Sequence, residues 1–219
     1  MICAARRTER VAALAAEIGG MAVTCDVTSA ADVAALAAAA GPKVDVLVNN
    51  AGGAIGVDPV ATASADDWRL MYETNVVGAE QVTQALLPAI IAAHGAIVFV
   101  TSTAAESAYE GGAGYCGVKS AERALAKALR LELWDKPVRV TEIAPGMVHT
   151  PEFSLVRFAG DQAKADAVYA GVPNPLVADD IAEAITWMAT RPEHVAIESM
   201  VVRPVAQAAN HKVFRGEYA

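Results

Sequence analysis

Cysteine is scarce in this chain. Cys3, Cys25 and Cys116 are the three among 219 residues, and no two form a C-x-x-C pair. Such usage excludes a disulfide framework and suits reduced thiols in a cytoplasm. Long apolar runs are lacking too. Leu86 to Val100 is the longest and is interrupted by Pro88 and His94. Spanning a bilayer takes about 20 apolar residues, so no membrane association is expected. A secretory leader is likewise not expected, because Arg6-Arg7 arrives before an apolar segment can form. Basic charge is outweighed: 17 Lys and Arg stand against 25 Asp and Glu, a net charge of −8 with no basic block. That excludes nucleic acid and an anionic membrane surface as main partners. The four histidines lack metal-ligand spacing, so no metal is expected, although His149 lies in a suggestive loop.

Hydrophobic residues make up 54% of the chain and charged residues 19%, enough apolar material for a sizeable core and too little charge for disorder. Neither a repeat nor a linker is visible, so 1–219 reads as one domain. Apolar runs of strand length alternate with helical patterns. Strands are expected over 1–5, 21–25, 44–49, 96–100, 138–143 and 199–203, and helices over 8–18, 30–40, 66–93, 113–134 and 179–190. This alternation implies βαβ units and a doubly wound parallel α/β sheet. Ser29 precedes Asp32 by three and Ser64 precedes Asp67 by three, the pattern of a helix N-cap with an acid in the first turn. Pro145, Pro151, Pro173 and Pro175 bracket the least regular stretch, and 145–178 is expected to cover a substrate.

Tyr115 and Lys119 stand four apart, just after Gly111-Gly112-Ala113-Gly114. On a helix they share one face. A free tyrosine has a pKa near 10, and a fixed cation beside it favours the phenolate. Alone, such a pair is usually a solvated helix face. Here it has company. Ser102 follows the run Ala96-Ile97-Val98-Phe99-Val100, and Asn49-Asn50-Ala51-Gly52 follows the run Val44 to Val48. Asn75 lies inside a helical stretch, and Pro145-Gly146 follows the run Val138 to Ile143. Ligands collect at the carboxyl ends of parallel strands. Cys116 adjoins the tyrosine but points off the shared face and reads as a packing residue.

With these pieces in this order, the chain resembles the short-chain dehydrogenase/reductase family over nearly its whole length. The resemblance implies an NADP-dependent oxidoreductase with a Rossmann-like fold, assembled as a homo-oligomer, tetramer or dimer. It makes Tyr115 the acid/base and Ser102 the donor to the substrate oxygen. Lys119 would aid the tyrosine and hold the ribose hydroxyls, and Asn75 would anchor a relay water. The alternative for Asn75 is a mid-helix side chain bonding a nearby carbonyl. Asp26 and Val27 would lie at the adenine ring and Asn50 at the adenosine ribose. Pro145, Gly146, Val148 and Thr150 would line the nicotinamide. Arg6 and Arg7, with no acid beside them, suit a ribose 2′-phosphate and hence NADP, the alternative being a solvated first helical turn. The stretch Pro145 to Phe158 is similar to NADP-dependent 3-hydroxy acid dehydrogenases, which include serine dehydrogenases. Arg157 there could hold a substrate carboxylate or bridge subunits. Rival readings are a reductase for a bulkier carbonyl and a non-catalytic module serving subunit association.

One family element is missing. The family opens with a strand, a glycine-rich turn and a helix that cradle the pyrophosphate, whereas Met1 falls inside what reads as the second strand. Gly52-Gly53-Ala54-Ile55-Gly56 and Gly111-Gly112-Ala113-Gly114 lack the required context. The expectation is a domain truncated at its N-terminus, without its first βα unit. Strands 1–5 and 44–49 would each lack a neighbour, and cofactor binding would be weak.

Overall fold

The computed structural model describes residues 1–218. β1 (Ile2–Ala5), α1 (Thr8–Ile18), β2 (Met21–Thr24), α2 (Ala30–Ala40) and β3 (Val46–Asn49) alternate as the sequence pattern predicts. A long helix follows, made of α3 (Ala65–Tyr72), a π-turn over Glu73–Val77 and α4 (Gly78–Ala93). Then come β4 (Ala96–Val100), a 3₁₀ turn (Thr103–Ala105), α5 (Ala113–Glu132) and β5 (Arg139–Pro145). The chain ends with α6 (Phe153–Arg157), α7 (Gln162–Tyr169), α8 (Ala178–Ala189), β6 (Ser199–Val202) and the small hairpin β7 (Gln207–Ala209)–β8 (Lys212–Val213). Ser29 and Ser64 cap α2 and α3, accepting from the Asp32 and Asp67 amides at 3.3 Å each.

The principal pairings are parallel. β3, β4, β5 and β6 form one sheet in that order, and β1 pairs with β2 in a separate two-stranded sheet. β1 and β3 therefore each present an edge that no strand among the described residues pairs with. One face of β3 is also uncovered, since Val46 and Val48 stay open to solvent while Leu47 is buried. Ala96, Ile97, Val98 and Phe99 of β4 are all buried, because helices cover both faces. One core cluster joins Cys25, Val33 and Leu36 to Leu47, Ile97, Phe99 and Leu129, so apolar packing ties the two sheets together where hydrogen bonds do not.

Some expectations need correction. β5 continues two residues past Ile143, because Ala144 and Pro145 still pair with Val201 and Val202. The supposedly irregular stretch 145–178 contains two short helices, α6 and α7, whose few turns are too short to show a period in sequence. The β7–β8 hairpin has no strong turn signature and was not anticipated. Ala65–Ala93 is a helix of 29 residues whose most apolar 18-residue window has mean hydropathy 1.4, long and apolar enough to cross a membrane by length and composition alone. A helix over 66–93 was expected, but its charged and polar first half leaves no uninterrupted apolar run. Its Val82, Leu86 and Ile90 face is buried in the core cluster, and α4 packs on α2 and β3.

The open edges of β1 and β3 generate a prediction. A strand–turn–helix unit of about 30 residues, supplied ahead of residue 1, should pair with both edges and cover Val46 and Val48. Thermal melting should rise by several degrees, since each kcal/mol shifts Tm by roughly 2–4 °C in a chain of this size. An unchanged melting temperature would show that the two edges gain nothing from a partner.

Candidate active site

The carboxyl ends of β3, β4 and β5 lie side by side because the strands are parallel and in register. The residues at and just past those ends, Asn49-Asn50, Ser102 and Pro145-Gly146, are brought to one edge of the sheet. α5 lies across that edge and carries Tyr115 and Lys119 on its buried face, 9% and 4% exposed. The helix start needs its glycines. Gly111 has φ +72°, and a Cβ on Gly114 would stand 2.7 Å from Trp68 Nε1.

Lys119 Nζ lies 6.0 Å from the Tyr115 ring centroid. It donates to the Val100 carbonyl at 3.0 Å and to Glu122 Oε2 at 2.7 Å. Burial disfavours its charge, but the Glu122 carboxylate and Tyr115 outweigh burial, and its pKa is raised above the ordinary lysine value. Ser102 Oγ accepts from the Ala104 amide at 3.1 Å and faces the Pro145 carbonyl at 3.5 Å.

Asn75 is 1% exposed and fully engaged. Its Nδ2 donates to Gly53 O at 3.1 Å and to Met71 O at 2.7 Å, and its Oδ1 accepts from Gly53 N at 3.1 Å. In an unbroken α-helix Met71 O would receive the backbone N–H of residue 75. The π-turn over Glu73–Val77 interrupts that pattern, and within it the Asn75 side chain bonds the Met71 carbonyl. Asn75 thus bonds a neighbouring carbonyl, as the alternative reading has it, and also clips the loop after β3. Gly52 must lack a side chain, since a Cβ there would sit 2.4 Å from Asn75 Oδ1 and 3.6 Å from Lys119 Nζ.

Arg157, on α6, reaches back to this loop. Its Nε donates to Gly56 O at 2.9 Å and its Nη2 to the Tyr109 hydroxyl at 3.1 Å. Its guanidinium carbon stands 5.8 Å from the Tyr115 ring centroid. Phe153 meets Tyr115 edge-on at 5.9 Å. The 145–178 segment therefore rests on the tyrosine through Phe153 and Arg157.

The remaining sequence-selected residues are more dispersed. Arg6 is exposed, and Arg7 grips Glu152 with both nitrogens, at 2.6 and 2.5 Å, while Arg10 joins the same carboxylate. Hydrogen bonds from Arg7 and Arg10 hold the Glu152 pKa down to about 2. Asp26 binds the Thr28 amide and hydroxyl, which lower its pKa. Val27 packs so tightly on α4 that a Cβ at Gly78 would lie 2.5 Å from it. Asn50 is exposed, whereas its neighbour Asn49, not singled out from sequence, is buried and donates to Thr83 at 2.9 Å. Gly146 lies against Gln207, Val148 O accepts from Tyr169 at 2.9 Å, and Thr150 accepts from Phe153 N at 3.4 Å. Glu152, Tyr109 and Glu122 were also missed. Glu122 alone left a signal, an acid one turn after Lys119 on the inward stripe of α5.

The chain matches the family model for short chain dehydrogenase over residues 1–157. It is 57% identical over 210 residues to an uncharacterized oxidoreductase of Mycobacterium tuberculosis, a match covering 95% of this chain and 82% of that protein. It is 43% identical over 217 residues to a serine 3-dehydrogenase of Agrobacterium fabrum, covering 96% and 86%. Among solved structures, the closed form of serine dehydrogenase complexed with NADP+ superposes with a TM-score of 0.90 at 38% identity, covering 94% and 86%. This chain belongs to the short-chain dehydrogenase family.

The Asn75 clip yields a test. Asn75→Ala strands Gly53 N–H and two carbonyls, each costing roughly 1–3 kcal/mol where buried. The variant should lose on the order of 2–4 kcal/mol of stability in urea unfolding. Parent-like stability would mean that Asn75 does not hold the loop.

Proposed function

We propose that this chain is an NADP-dependent oxidoreductase acting on a small alcohol or 3-hydroxy acid. The observation that carries the reading is the convergence on one buried tyrosine. Lys119 stands behind its ring, Arg157 stands over it, and Ser102 is at the adjoining strand end.

The residues present fit the cofactor in two places. A bidentate arginine at the carboxyl end of β1 already holds an anion, the Glu152 carboxylate, and a 2′-phosphate offers the same fork a stronger charge. Arg6 stands free beside it. Asp26 and Val27 would flank the adenine and Asn50 the adenosine ribose. Pro145, Gly146, Val148 and Thr150 would line the nicotinamide end, and Lys119 would hold the ribose there. Among the described residues no glycine-rich turn opens a helix between β1 and β3.

Bound NADPH supplies the hydride. Tyr115 gives its phenolic proton to the carbonyl oxygen during reduction and takes it back in oxidation. Ser102 donates to the same oxygen, where negative charge gathers. Lys119 keeps a positive charge beside the phenol. Arg157 has spent Nε and Nη2 on the loop and Tyr109, and its Nη1 is left to meet a substrate carboxylate. The 145–178 segment acts as the cover, with Phe153 and Arg157 as its contacts to the tyrosine. The three free cysteines suit a cytoplasmic protein, and exposed Trp134 and Trp187 suit a dimer or tetramer.

Tyr115→Phe, made in the chain carrying the added strand–turn–helix unit, should lower turnover by about 10²–10⁴ with NADPH affinity unchanged. Parent-like turnover would remove Tyr115 as the acid/base. Replacing Arg6 and Arg7 together by Gln should weaken NADPH far more than NADH in fluorescence titrations. Equal losses for the two cofactors would refute the 2′-phosphate assignment.

A further inference from the structure

α5 carries an acid where its inward stripe calls for an apolar side chain. Glu122 is 1% exposed, one helical turn after Lys119. Its Oε2 accepts from Lys119 Nζ at 2.7 Å, and its Oε1 has no hydrogen-bond partner. A buried carboxylate with one oxygen unmatched is a poor stabiliser, and an apolar side chain of similar size generally packs better in such a place. Its geometry gives it another use. An ammonium has three N–H donors. Glu122 takes one and the Val100 carbonyl, 3.0 Å away, takes another. The third is left for the space beside Gly52, where a Cβ would stand 3.6 Å from Nζ.

We propose that Glu122 is a positioning residue of this site: its carboxylate holds the Lys119 ammonium charged and fixed between β4 and α5, with the third N–H left to the cofactor. The inference rests on the reading of Lys119 as a cofactor-holding group.

The surroundings of Glu122 leave Lys119 as its sole counter-charge. On its own helix it meets Lys119. From β5 it meets Glu142, another buried acid, which Arg123 already matches at 2.7 Å. Arg123 also lies 3.8 Å from Glu106, which pairs with Arg203 at 2.9 Å. β4 offers the neutral Val100 carbonyl, and the π-turn offers neutral Asn75. Burial pushes the Glu122 carboxyl up to about 6, Lys119 opposes that rise and Glu142 adds to it. Below that pH the carboxyl takes up a proton, and the lysine loses the charge that fixes it. The hold on the cofactor should therefore weaken as pH falls through 6.

The test uses the full chain, Glu122→Gln and Glu122→Asp, with thermal melts at pH 7.5 to establish folding. In the parent, ¹³C NMR should show a glutamate carboxyl titrating near pH 6, and Glu122→Gln should delete that signal. NADPH affinity of the parent should fall across the same step. Glu122→Gln should bind NADPH on the order of tenfold more weakly at pH 7.5, with a smaller step, the remainder being that of the 2′-phosphate, which itself titrates near pH 6, and Glu122→Asp should restore the step in part. If Glu122→Gln binds as tightly as the parent, or keeps the parent's step, the proposal is wrong. A parent that binds no NADPH at pH 7.5, with or without the added strand–turn–helix unit, refutes the cofactor reading instead. The ¹⁵N signal of Lys119 then decides the proposal. It moves with the Glu122 titration if the carboxylate holds the ammonium, and stays still if it does not.

Discussion

A positive charge sealed from water organises this site. Lys119 is 4% exposed, and an ammonium taken out of water survives only where nearby oxygens replace the solvent. Two oxygens do so, the Val100 carbonyl at the end of β4 and the Glu122 carboxylate one turn along α5. The demand for them ties the helix to the strand end. Once Nζ is held there, the i, i+4 geometry of the helix sets Tyr115 beside it, and the loop after β3 must pass close enough to exclude a side chain at Gly52. The charge, the tyrosine and the tight loop are parts of one arrangement.

That arrangement sits on β3, β4 and β5, whose parallel pairing lines up three carboxyl ends. The β1–β2 pair is joined to them by apolar packing through α2 and α4. Packing of this kind is strong but undirected, whereas strand pairing fixes register. The end of the site that bears Tyr115 and Lys119 is therefore built on the strands whose register is fixed. The end bearing Arg6 and Arg7 is built on the part that no strand ladder connects to it. The Arg7–Glu152 contact crosses between the two, tying the start of α1 to the segment before α6. Both side chains are partly exposed, so the tie contributes little to stability and can exchange for another anion.

Much of this was legible in the sequence, because much of it is local. Buried strands announce themselves as short apolar runs, helices as periodic ones, and Ser29 and Ser64 as caps three residues before an acid. The spacing of Tyr115 and Lys119 places them on one face of any helix that contains both. Neighbouring strands in register then dictate that Ser102, Asn49-Asn50 and Pro145-Gly146 share an edge. The unpaired edges of β1 and β3 could be expected from the strand order that the family resemblance implies.

What tertiary structure decided were the partners of polar groups. No pattern in the sequence says that Arg7 grips Glu152, 145 residues away, or that Arg157 spans to Gly56 and Tyr109. Nor does any pattern say that Asn49 is buried while Asn50 is not, since that depends on which face of β3 receives α4. Glu122 is the sharpest case. Its position on the stripe is sequence information, but its single bonded oxygen and its acidic neighbour Glu142 exist only once α5 lies on β5. Periodicity decides which residues turn inward, because it follows from helix and strand geometry. Which charge an inward residue meets is settled by the packing of elements far apart in the chain, which local geometry does not encode.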